Sequence, residues 1–524
     1  MSKELHGEII VIGGGLGGSQ AALSAAKMGK KVILTEETGR IGGQLTSQLV
    51  PPDEHKWIEQ FGCTGTYREF RNRVRDYYRR NYPLKEEAMH NPRLNPGNAL
   101  VSRISHDPRI SLAVLNDMLA PFIHTGRITV LLKHKLVVTE TNRDEIRSVT
   151  VRNTDSGDKV TISGTLFIDA TECGDFLPLG DVEYVTGAES QEETGEPHAL
   201  AGRAEPLDMQ SITHCFAVDY IEGEDHTIEK PEQYEFWKNY QADFLDHKQL
   251  SWFGPDAATG KSKLFTLFPQ EGLFSLWEYR RALDKTLFHD GFAEGDLSLI
   301  NWPQNDYWLG PIYEVSEEER QKHLEGAKQL SLSLLYWIQT EAPRHDGGIG
   351  YPGLRLRRDV SGTNDGLAMY PYIRESRRIK PEVTVKEQDI NAEYRGHKGI
   401  KKVEDSVGVG CYRIDLHPTI VTNQLFYTPS LPFEIPMGAL LPVRMKNLIA
   451  GSKNIGATHI TNGCFRVHPV EWNIGESAGY LAAFAHDKGI EPRAVRHDST
   501  ILQDFQTLLQ QQGIELHWPE IGVV

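Results

Sequence analysis

The chain of 524 residues exceeds one ordinary hydrophobic core, so its length predicts two lobes. Hydrophobic residues make up 39% and charged residues 24%, a globular composition that argues against extensive disorder. The 56 basic and 72 acidic residues give a net charge of −16, which argues against non-specific nucleic-acid binding because phosphates require clustered lysines and arginines. No window approaches the apolar length of a membrane span, so none is predicted.

The cysteines bound the redox chemistry and the compartment. They are odd in number, widely spaced and without a Cys-x-x-Cys pair: Cys63, Cys173, Cys215, Cys411 and Cys464. This pattern predicts neither a disulfide framework nor an iron–sulfur cluster, and it favours a reducing cytoplasm. The first residues run directly into an apolar strand rather than into a signal-peptide core. Histidines such as His124 and His134 make no convincing ligand set, so we predict no metal.

The chain opens with a strand–helix–strand pattern. Residues 8–12 predict a short buried strand, residues 17–29 a helix rich in alanine and serine, and residues 31–35 a second strand. Such a βαβ unit is typical of nucleotide-binding α/β folds.

A glycine-rich turn joins the first strand to the helix. Within residues 13–18, Gly13, Gly15 and Gly18 satisfy the GxGxxG pattern. The first glycine permits a tight turn, the second lets the backbone approach a pyrophosphate, and the third lets helix and strand pack closely. Glu36 ends the second strand, where an acid can hydrogen-bond ribose hydroxyls. The alternative is a purely structural glycine turn, but the strand–helix context favours a dinucleotide site.

A second glycine pair follows the acid. Gly42 and Gly43 lie in Gly39-Arg40-Ile41-Gly42-Gly43-Gln44-Leu45-Thr46, which resembles the second contact segment of FAD enzymes of the glutathione-reductase class. The resemblance implies FAD rather than NAD. It also implies that Thr46 and Gln48 pass beneath the flavin, with a plain loop as the alternative.

Two later segments carry the same resemblance. Residues 168–175 resemble the Asp-Ala-Thr-Gly element beside the adenosine half, except that Glu172 replaces the usual glycine. Residues 448–479 resemble the C-terminal flavin segment of the FAD-dependent oxidoreductases, sometimes described as fumarate-reductase-like or xanthan-lyase-associated flavoproteins. That family often has Gly-Arg where this chain has Gly451-Ser452. A helix starting near Asn473 would aim backbone N–H groups at the flavin.

These segments together define the predicted cofactor contacts. They are Gly13, Gly15, Gly17, Gly18, Glu36, Gly42, Gly43, Gln44, Thr46, Leu136, Ala170, Thr171, Gly451, Ser452, Arg466, Asn473 and Ile474. A second dinucleotide fingerprint is missing, since Gly408-Val409-Gly410 lacks the strand–helix context. Disulfide reductases and enzymes with two Rossmann domains are therefore disfavoured.

The remaining pattern predicts an α/β fold, in which an FAD-binding Rossmann-type domain (three-layer ββα) carries an inserted, mixed α+β substrate lobe. Antiparallel strands are expected at 128–138 and 146–152, a strand pair at 159–170, a strand at 447–450 and a helix at 470–485. The predicted divisions are an FAD-binding domain at 1–205 with an insertion at 51–108, a substrate lobe at 206–430, a return to the FAD-binding domain at 431–490 and a C-terminal tail at 491–524.

The middle lobe also holds stretches that resemble this family. They are 276–281, 372–379 and 412–417. Its aromatic residues either wall a pocket for a planar or sugar-like substrate or fill a core, and the core is the stronger expectation. They include Trp252, Trp277, Trp302, Trp308 and Tyr370.

Three residues are candidates for the chemistry. His459 lies in the C-terminal flavin segment and is a polar neighbour of the flavin or a base, with a backbone-bonding histidine as the alternative. Arg374 suits an anionic substrate, although with Arg377, Arg378 and Glu375 it can equally form a salt-bridge network. His417 either lines the site or packs as a structural histidine.

The leading hypothesis is therefore an FAD-dependent dehydrogenase or oxidase that transfers a hydride between a small organic substrate and flavin N5. The alternatives are a flavin monooxygenase, a reductase of an unsaturated substrate and, from another class, a non-enzymatic flavin-binding protein. The expected partners are a small-molecule substrate and an electron acceptor that is oxygen, a quinone or another protein. A homo-oligomer is left open, and neither nucleic acid nor a membrane is expected.

Overall fold

A computed structural model describes residues 3–256, 259 and 261–519. Its strands are β1 (Lys3–His6), β2 (Ile9–Ile12), β3 (Val32–Glu36), β4 (Ile128–Leu132), β5 (His134–Asn142), β6 (Glu145–Asn153), β7 (Lys159–Ser163), β8 (Leu166–Asp169), β9 (Tyr184–Val185), β10 (Phe216–Tyr220), β11 (Phe253–Pro255), β12 (Ser262–Thr266), β13 (Phe274–Ser275), β14 (Arg281–Leu283), β15 (Leu297–Ile300), β16 (Leu354–Leu356), β17 (Arg378–Ile379), β18 (Ser406–Gly410), β19 (Ile414–Leu416), β20 (Phe426–Thr428), β21 (Phe433–Pro436) and β22 (Leu448–Ala450). Its α-helices are α1 (Leu16–Lys27), α2 (Gly65–Asn81), α3 (Glu86–His90), α4 (Pro108–His124), α5 (Phe176–Leu179), α6 (Gln191–Thr194), α7 (Tyr234–Asn239), α8 (Leu276–Tyr279), α9 (Glu317–Thr340), α10 (Arg358–Ser361), α11 (Glu387–Ile390), α12 (Ala392–Arg395), α13 (His459–Phe465), α14 (His468–Lys488), α15 (Pro492–His497) and α16 (Ser499–Gln511).

A five-stranded parallel sheet forms the first layer, in the order β22-β8-β2-β3-β4. Strands β2 and β8 are buried along their whole length, as expected for central parallel strands covered on both faces. The carboxyl ends of these strands meet at one edge, where the glycine-rich turn begins. The predicted βαβ opening is therefore present, and β22 returns to the same sheet from the far end of the chain.

A second sheet packs on one face of the first and forms the second layer. Strands β5, β6 and β7 make an antiparallel meander, to which β1 adds a parallel edge. The expectation of one antiparallel strand over 128–138 was wrong. Residues 128–132 are the parallel edge strand β4, and only after Lys133, at a positive φ of 58°, does the chain enter the meander. A positive φ for a lysine marks a sharp change of direction that the alternating pattern conceals.

Helices α1 and α14 cover the opposite face and complete the three-layer ββα arrangement. They approach closely because a Cβ on Gly479 would overlap the hydroxyl of Ser24 and the backbone of Ala21. Helix α14 is buried along most of its length and is longer than predicted, since it starts at His468 rather than near Asn473. The helix that packs against the glycine-rich turn thus comes from the last tenth of the chain.

Residues 51–108, predicted as an insertion, contribute to the core of this first lobe. Helix α2 buries Tyr67, Phe70 and Val74 in the same apolar cluster as the parallel sheet. The residues after 490 also pack on this core, because Phe505 and Leu509 of α16 are fully buried. Both segments therefore add covering helices to the nucleotide-binding layers.

The second lobe has its own core. An antiparallel sheet in the order β14-β15-β10-β16 packs with α9, and the cluster between them is rich in tryptophan and tyrosine. Trp252, Trp277, Trp302 and Tyr370 belong to this cluster, as the core interpretation of these aromatic residues expects. Trp308 lies outside the cluster and, with Trp302, lines a cavity, as the pocket interpretation expects. None of the described helices is long and apolar enough to cross a bilayer.

The divisions at 205/206 and 430/431 stay predictions, but one strand pair bears on the second of them. Strand β18 pairs with β21, and Val407 of β18 packs in the first core. Ile379 of β17, which pairs with β9, already packs in the same core, as do Val385 and Ile390. The chain thus rejoins the nucleotide-binding lobe by β17, well before residue 431.

Candidate active site

The glycine-rich turn is shaped by close contacts that leave no room for side chains. A Cβ on Gly18 would overlap the carbonyl oxygen of Gly13, and a Cβ on Gly17 would overlap that of Gly451. A Cβ on Gly475, in α14, would in turn overlap the carbonyl oxygen of Gly17. The turn is therefore held between the end of strand β22 and helix α14. At the first turn of α1, where backbone N–H groups can bind an anion, the N–H of Gly17 lies 3.5 Å from Oε1 of Glu471.

The acid after the second strand lies where the motif predicts. Glu36 accepts hydrogen bonds from the backbone N–H of Gly14 at 2.9 Å and of Thr38 at 2.8 Å. Burial raises the pKa of its carboxyl to about 8, and Glu37 adds to the effect. A cleft beside it is lined by Gly13, Glu36, Leu136, Thr171 and Glu172 among others. These residues lie at or near β2, β3, β5 and β8, around the edge of the sheet where the adenosine half of a dinucleotide is expected.

The second glycine pair, Gly42 and Gly43, packs against the glycine-rich turn. Gly42 has a φ of 99°, a conformation that L-residues rarely adopt, and its N–H bonds the carbonyl of Gly14 at 2.8 Å. A Cβ on Gly43 would lie 3.0 Å from Cα of Gly15. Just beyond, the side-chain amide of Gln48 is fully buried with both polar atoms unpartnered. A buried amide without partners indicates a site built for a bound polar group.

An acid–base cluster fills the space between the turn and α14. The buried Nζ of Lys453 lies 2.5 Å from Oε2 of Glu172 and 3.5 Å from Oε2 of Glu471. Burial lowers the pKa of Lys453, but the two carboxylates outweigh it and raise the pKa overall. Oε1 of Glu172 is unpartnered and lies 2.5 Å from the position of a Cβ on Gly15. The residue that replaces the usual glycine thus places a carboxylate beside the phosphate-binding turn.

The remaining predicted contacts divide into two groups. Thr46 bonds the carbonyl of Ile41, and Ser452 donates to Glu471 at 2.8 Å, so both hold the loops around the turn. Asn473 bonds Val407, Val409 and Ser477, and Ile474 is a fully buried core residue.

The start of α14 corrects the expected source of the flavin-facing N–H groups. Because the helix begins at His468, its first turn runs from His468 to Glu471. Pro469 has no N–H, and the N–H groups of Val470 and Glu471 bond the carbonyl of Val467 at 3.0 and 2.9 Å. Nδ1 of His468 accepts from the N–H of Asp53 at 3.0 Å, which ties residues 50–53 to the helix start. Burial lowers the pKa of His468 to about 4, so it is neutral and can accept this bond.

A cavity of about 240 Å³ lies between the two lobes. Most of its lining comes from the second lobe and from residues 372–425, while Asp53 and Arg466 reach it from the first lobe. Arg280 pairs with Asp53 across it at 3.3 Å. The three stretches that resemble the family all contribute lining residues, Tyr279 and Arg280, Tyr372 and Arg374, and Tyr412, Arg413, Asp415 and His417.

Arg466 joins this cavity to the cofactor loops. Its carbonyl accepts from Nε2 of Gln44 at 2.9 Å, while its guanidinium donates to the hydroxyl of Tyr372 at 2.7 Å and lines the cavity. One residue therefore contacts the second glycine segment through its backbone and the cavity through its side chain.

A histidine–aspartate pair forms part of the cavity wall. Nδ1 of His417 lies 2.6 Å from Oδ2 of Asp306, and the His417 side chain is 27% exposed. Burial and the nearby Arg374 lower the pKa of His417. Burial alone would raise the pKa of Asp306, but Arg374 and His417 outweigh it and lower it to about 2. The pair is thus a neutral imidazole held by an ionised carboxylate, with Nδ1 as donor.

Arg374 and Arg377 lie in an irregular segment, residues 371–377, and Arg378 begins β17. Arg374 lines the cavity and pairs with Asp306 at 2.8 Å. Arg377 pairs with Asp175 and Glu314, and Arg378 with Glu189 and Glu375. The salt-bridge alternative therefore describes all three, and Arg374 is in addition a cavity residue.

His459 lies away from the cavity, at the start of α13. Its Nδ1 is 2.9 Å from both oxygens of Glu375, and its backbone N–H bonds Glu189 at 2.8 Å. Burial would lower the pKa of His459, but Glu375 raises it overall. A histidine that is kept protonated in an ion pair is poorly suited to act as a general base.

Sequence reasoning named none of Asp53, Asp306 and Lys453. Each is a single charged residue in an irregular segment, and its partner is distant in sequence. The stretches that resemble the family were a signal for other cavity residues, since they contain Arg280, Tyr372 and Asp415. They contain none of Asp53, Asp306 and Lys453.

Comparison with known proteins decides the family. The chain matches the family model described as "FAD dependent oxidoreductase" over residues 8–509. The protein belongs to this family. It is therefore an FAD-dependent enzyme, and the glycine turn, Glu36, the second glycine pair and the unpartnered Gln48 fit that cofactor.

Solved structures add little to this. A geranylgeranyl bacteriochlorophyll reductase-like protein from Thermoplasma acidophilum is 11% identical, with 98% of this chain and 85% of that chain covered and a TM-score of 0.31. L-proline dehydrogenase from P. horikoshii is 13% identical over 36% of this chain and 26% of that chain, with a TM-score of 0.20. A myxobacterial chondrochloren halogenase is 14% identical, covering 42% and 45%, with a TM-score of 0.22. The match thus spans less than half of the last two proteins. No curated protein sequence matches.

Proposed function

We propose that this FAD-dependent oxidoreductase transfers a hydride between a small organic substrate and flavin N5, with the cavity between the lobes as its substrate site. The observation that carries the proposal is Arg466, which contacts Gln44 of the cofactor loop and lines the cavity. A substrate in the cavity would therefore lie beside the segment that the resemblance assigns to the flavin. Bound FAD supplies a two-electron acceptor or donor.

His417 is the proposed general base. Oxidation of an alcohol or amine requires loss of a proton from the heteroatom along with the hydride from carbon. Because Nδ1 of His417 donates to Asp306, Nε2 is the basic nitrogen, and it lies 3.9 Å from Oδ2 of Asp415. The lowered pKa of His417 keeps the ring unprotonated near neutral pH. His417 is preferred to His459 because it lines the cavity and is neutral.

Asp306 and Arg374 are proposed as positioning residues. Oδ1 of Asp306 accepts from Arg374 at 2.8 Å and from the hydroxyl of Thr213 at 2.6 Å, while Oδ2 holds His417. The carboxylate is thus fixed on both sides. This arrangement selects the imidazole tautomer and orients the ring toward the substrate.

The test begins with the purified protein and its visible spectrum. We expect a flavin spectrum and release of FAD, followed by anaerobic bleaching with a substrate from a screen of alcohols, amines and acids. His417→Gln should keep FAD bound and slow bleaching by about a hundredfold or more, within the usual range for loss of a general base. His124→Gln, an exposed histidine on α4, is the matched control and should bleach at the parent rate.

Two outcomes would contradict the proposal. If no donor bleaches the flavin but reductants feed electrons to an unsaturated substrate, the enzyme is a reductase. If His417→Gln bleaches as fast as the parent, the base lies elsewhere.

A further inference from the structure

The lining of the cavity carries an excess of unused hydrogen-bond donors. Four arginines line it, Arg280, Arg374, Arg413 and Arg466, and each has a buried Nε–H without an acceptor. The indole N–H of Trp302 is also buried and unpartnered. Buried donors without partners are costly, so an occupant of the cavity is expected to supply acceptor oxygens.

Acceptors are scarcer in the same lining. Among its described residues, the unpartnered buried acceptors are Oδ1 of Asn301 and Oε1 of Gln304. The carboxylates of Asp53 and Asp306 are already engaged by arginines, and that of Asp415 lies 3.9 Å from Arg466 and from Nε2 of His417 and also acts on Arg413 at longer range. A ligand that mainly accepts hydrogen bonds, such as a carboxylate, suits this wall better than one that mainly donates them.

Arg413 differs from the other three arginines in having no acidic partner within ion-pair distance among the described residues. Its guanidinium lies 5.4 Å from the ring centre of Tyr412 and 4.8 Å from that of Tyr427, and it bonds the Tyr427 hydroxyl at 3.4 Å. Two aromatic rings thus hold the cation without neutralising it. An arginine kept in place but unpaired is available to a ligand anion.

We propose that the cavity binds a small hydroxy acid, whose carboxylate is held by Arg413 and the neighbouring unpaired N–H groups and whose hydroxyl meets Nε2 of His417. The inference rests on the proposed function in taking this cavity as the substrate site. A volume of about 240 Å³ limits the ligand to a small molecule, and the aromatic wall accommodates its carbon skeleton.

The experiment compares acids with neutral partners in which a hydroxymethyl group replaces the carboxylate. The pairs are glycolate with ethylene glycol, gluconate with glucitol, and mandelate with 1-phenylethane-1,2-diol. Binding to the FAD-loaded protein is measured by calorimetry at constant ionic strength. We expect at least one acid to bind about tenfold or more tightly than its partner, a difference of ~1.4 kcal/mol.

Variants then assign the carboxylate to its residue. Arg413→Gln should abolish the preference for the acid, and Arg413→Lys should retain part of it because the charge remains but the planar fork is lost. Arg147→Gln, at an exposed ion pair with Glu145, is the control and should keep the full preference. FAD absorbance and the melting temperature verify that each variant is folded.

Three results would overturn the inference: equal binding within every pair, no binding of any acid at about 10 mM (a binding free energy weaker than about −2.7 kcal/mol), or an unchanged preference in Arg413→Gln. A failure of the proposed function looks different. If an acid binds through Arg413 but bleaches no flavin, this inference stands and the proposed hydride transfer is wrong. If neutral donors bleach the flavin and acids are not preferred, the hydride transfer stands and this inference is wrong.

Discussion

The glycine-rich turn and the cavity between the lobes are shaped by different kinds of atoms. Around the glycine turn, backbone atoms make the shape, and Gly17, Gly451 and Gly475 are packed so closely that any side chain would collide. In the cavity, charged side chains make the shape, and Asp306, Arg374 and His417 come from three distant segments. Substitutions in the glycine turn should therefore act by steric overlap, and substitutions in the cavity should act by changing charge.

The largest expected effect lies in the cavity. Asp306→Asn removes the charge that holds both His417 and Arg374, so we expect the rate of flavin reduction to fall about a thousandfold, within the range for general-base catalysis. FAD should stay bound, since Asp306 does not contact the cofactor loops. Stopped-flow absorbance with a bleaching donor measures the rate.

The matched control is Asp219→Asn, a buried carboxylate that pairs with Arg355 and Arg357 on the second-lobe sheet. It should lower stability without changing the reduction rate. Equal loss of rate in both variants would show that a general loosening of the lobe, rather than the His417 pair, is responsible.

The next effect concerns the glycine turn. Gly15→Ala adds a Cβ where a pyrophosphate should approach, and the nearest present neighbour is the flexible end of Glu172 rather than backbone. The fold should therefore survive while the Kd for FAD rises about a hundredfold, or ~2.7 kcal/mol. Quenching of FAD fluorescence on binding to the apoprotein measures the Kd.

Gly202→Ala is the control for that substitution, since a Cβ at residue 202 would meet nothing within 4 Å. If Gly15→Ala bound FAD as tightly as Gly202→Ala, the pyrophosphate would not lie on this turn.

A smaller change of opposite sign is expected at Glu172. Its carboxylate lies beside the turn that should receive the phosphates, so Glu172→Gln removes a like charge and leaves Lys453 to favour the anion. We expect the Kd for FAD to fall about tenfold, or ~1.4 kcal/mol. Glu183→Gln, in a partly exposed pair with Arg444, should leave the Kd unchanged. Weaker binding in Glu172→Gln would instead mean that Glu172 holds Lys453 in place for the cofactor.

The smallest effect is the pH dependence near neutrality. The base must be unprotonated, and burial and Arg374 lower the pKa of His417 below its ordinary 6.5, against the opposing effect of Asp306 and Asp415. The reduction rate should therefore change by less than about twofold between pH 7 and 9 and fall only on the acid side. His417→Gln should lose this acid limb. A rate that still climbs above pH 8 would point to another base.

The glycine turn and its surroundings were largely predictable from the sequence, whereas the cavity was not. The glycine motif, Glu36 and the return strand at 447–450 were predictable because backbone sterics impose a short, local pattern. The split of 128–138 into β4 and β5 was not, because a single positive φ at Lys133 separates two strands of similar composition. The helix pattern placed the start of α14 at residue 470, two residues late, since Pro469 stands inside its first turn and resembles a boundary. The flavin resemblance placed that start near Asn473, five residues late.

The cavity was only partly predictable. Arg374, Arg466 and His417 were named, but Asp306 and Asp53, which pair with cavity residues, carry no local pattern. His459 seemed a better candidate than His417 because it lies in the flavin-like segment, yet Glu375 holds it in an ion pair. Pairing between residues that are 68 to 227 positions apart decides such roles, and local spacing along the chain does not record it.

The glycine contacts between the turn, β22 and α14 have a consequence for how the protein is made. Residues 9–18 leave the ribosome more than 400 residues before Gly451 and Gly475, which enclose them. At ordinary rates of translation, of about 5–20 residues per second, the interval between the two is on the order of tens of seconds. Throughout that interval the nascent chain carries a phosphate-binding turn without its enclosing half. Flavin capture thus follows the synthesis of residues 451–475 rather than the appearance of the glycine fingerprint.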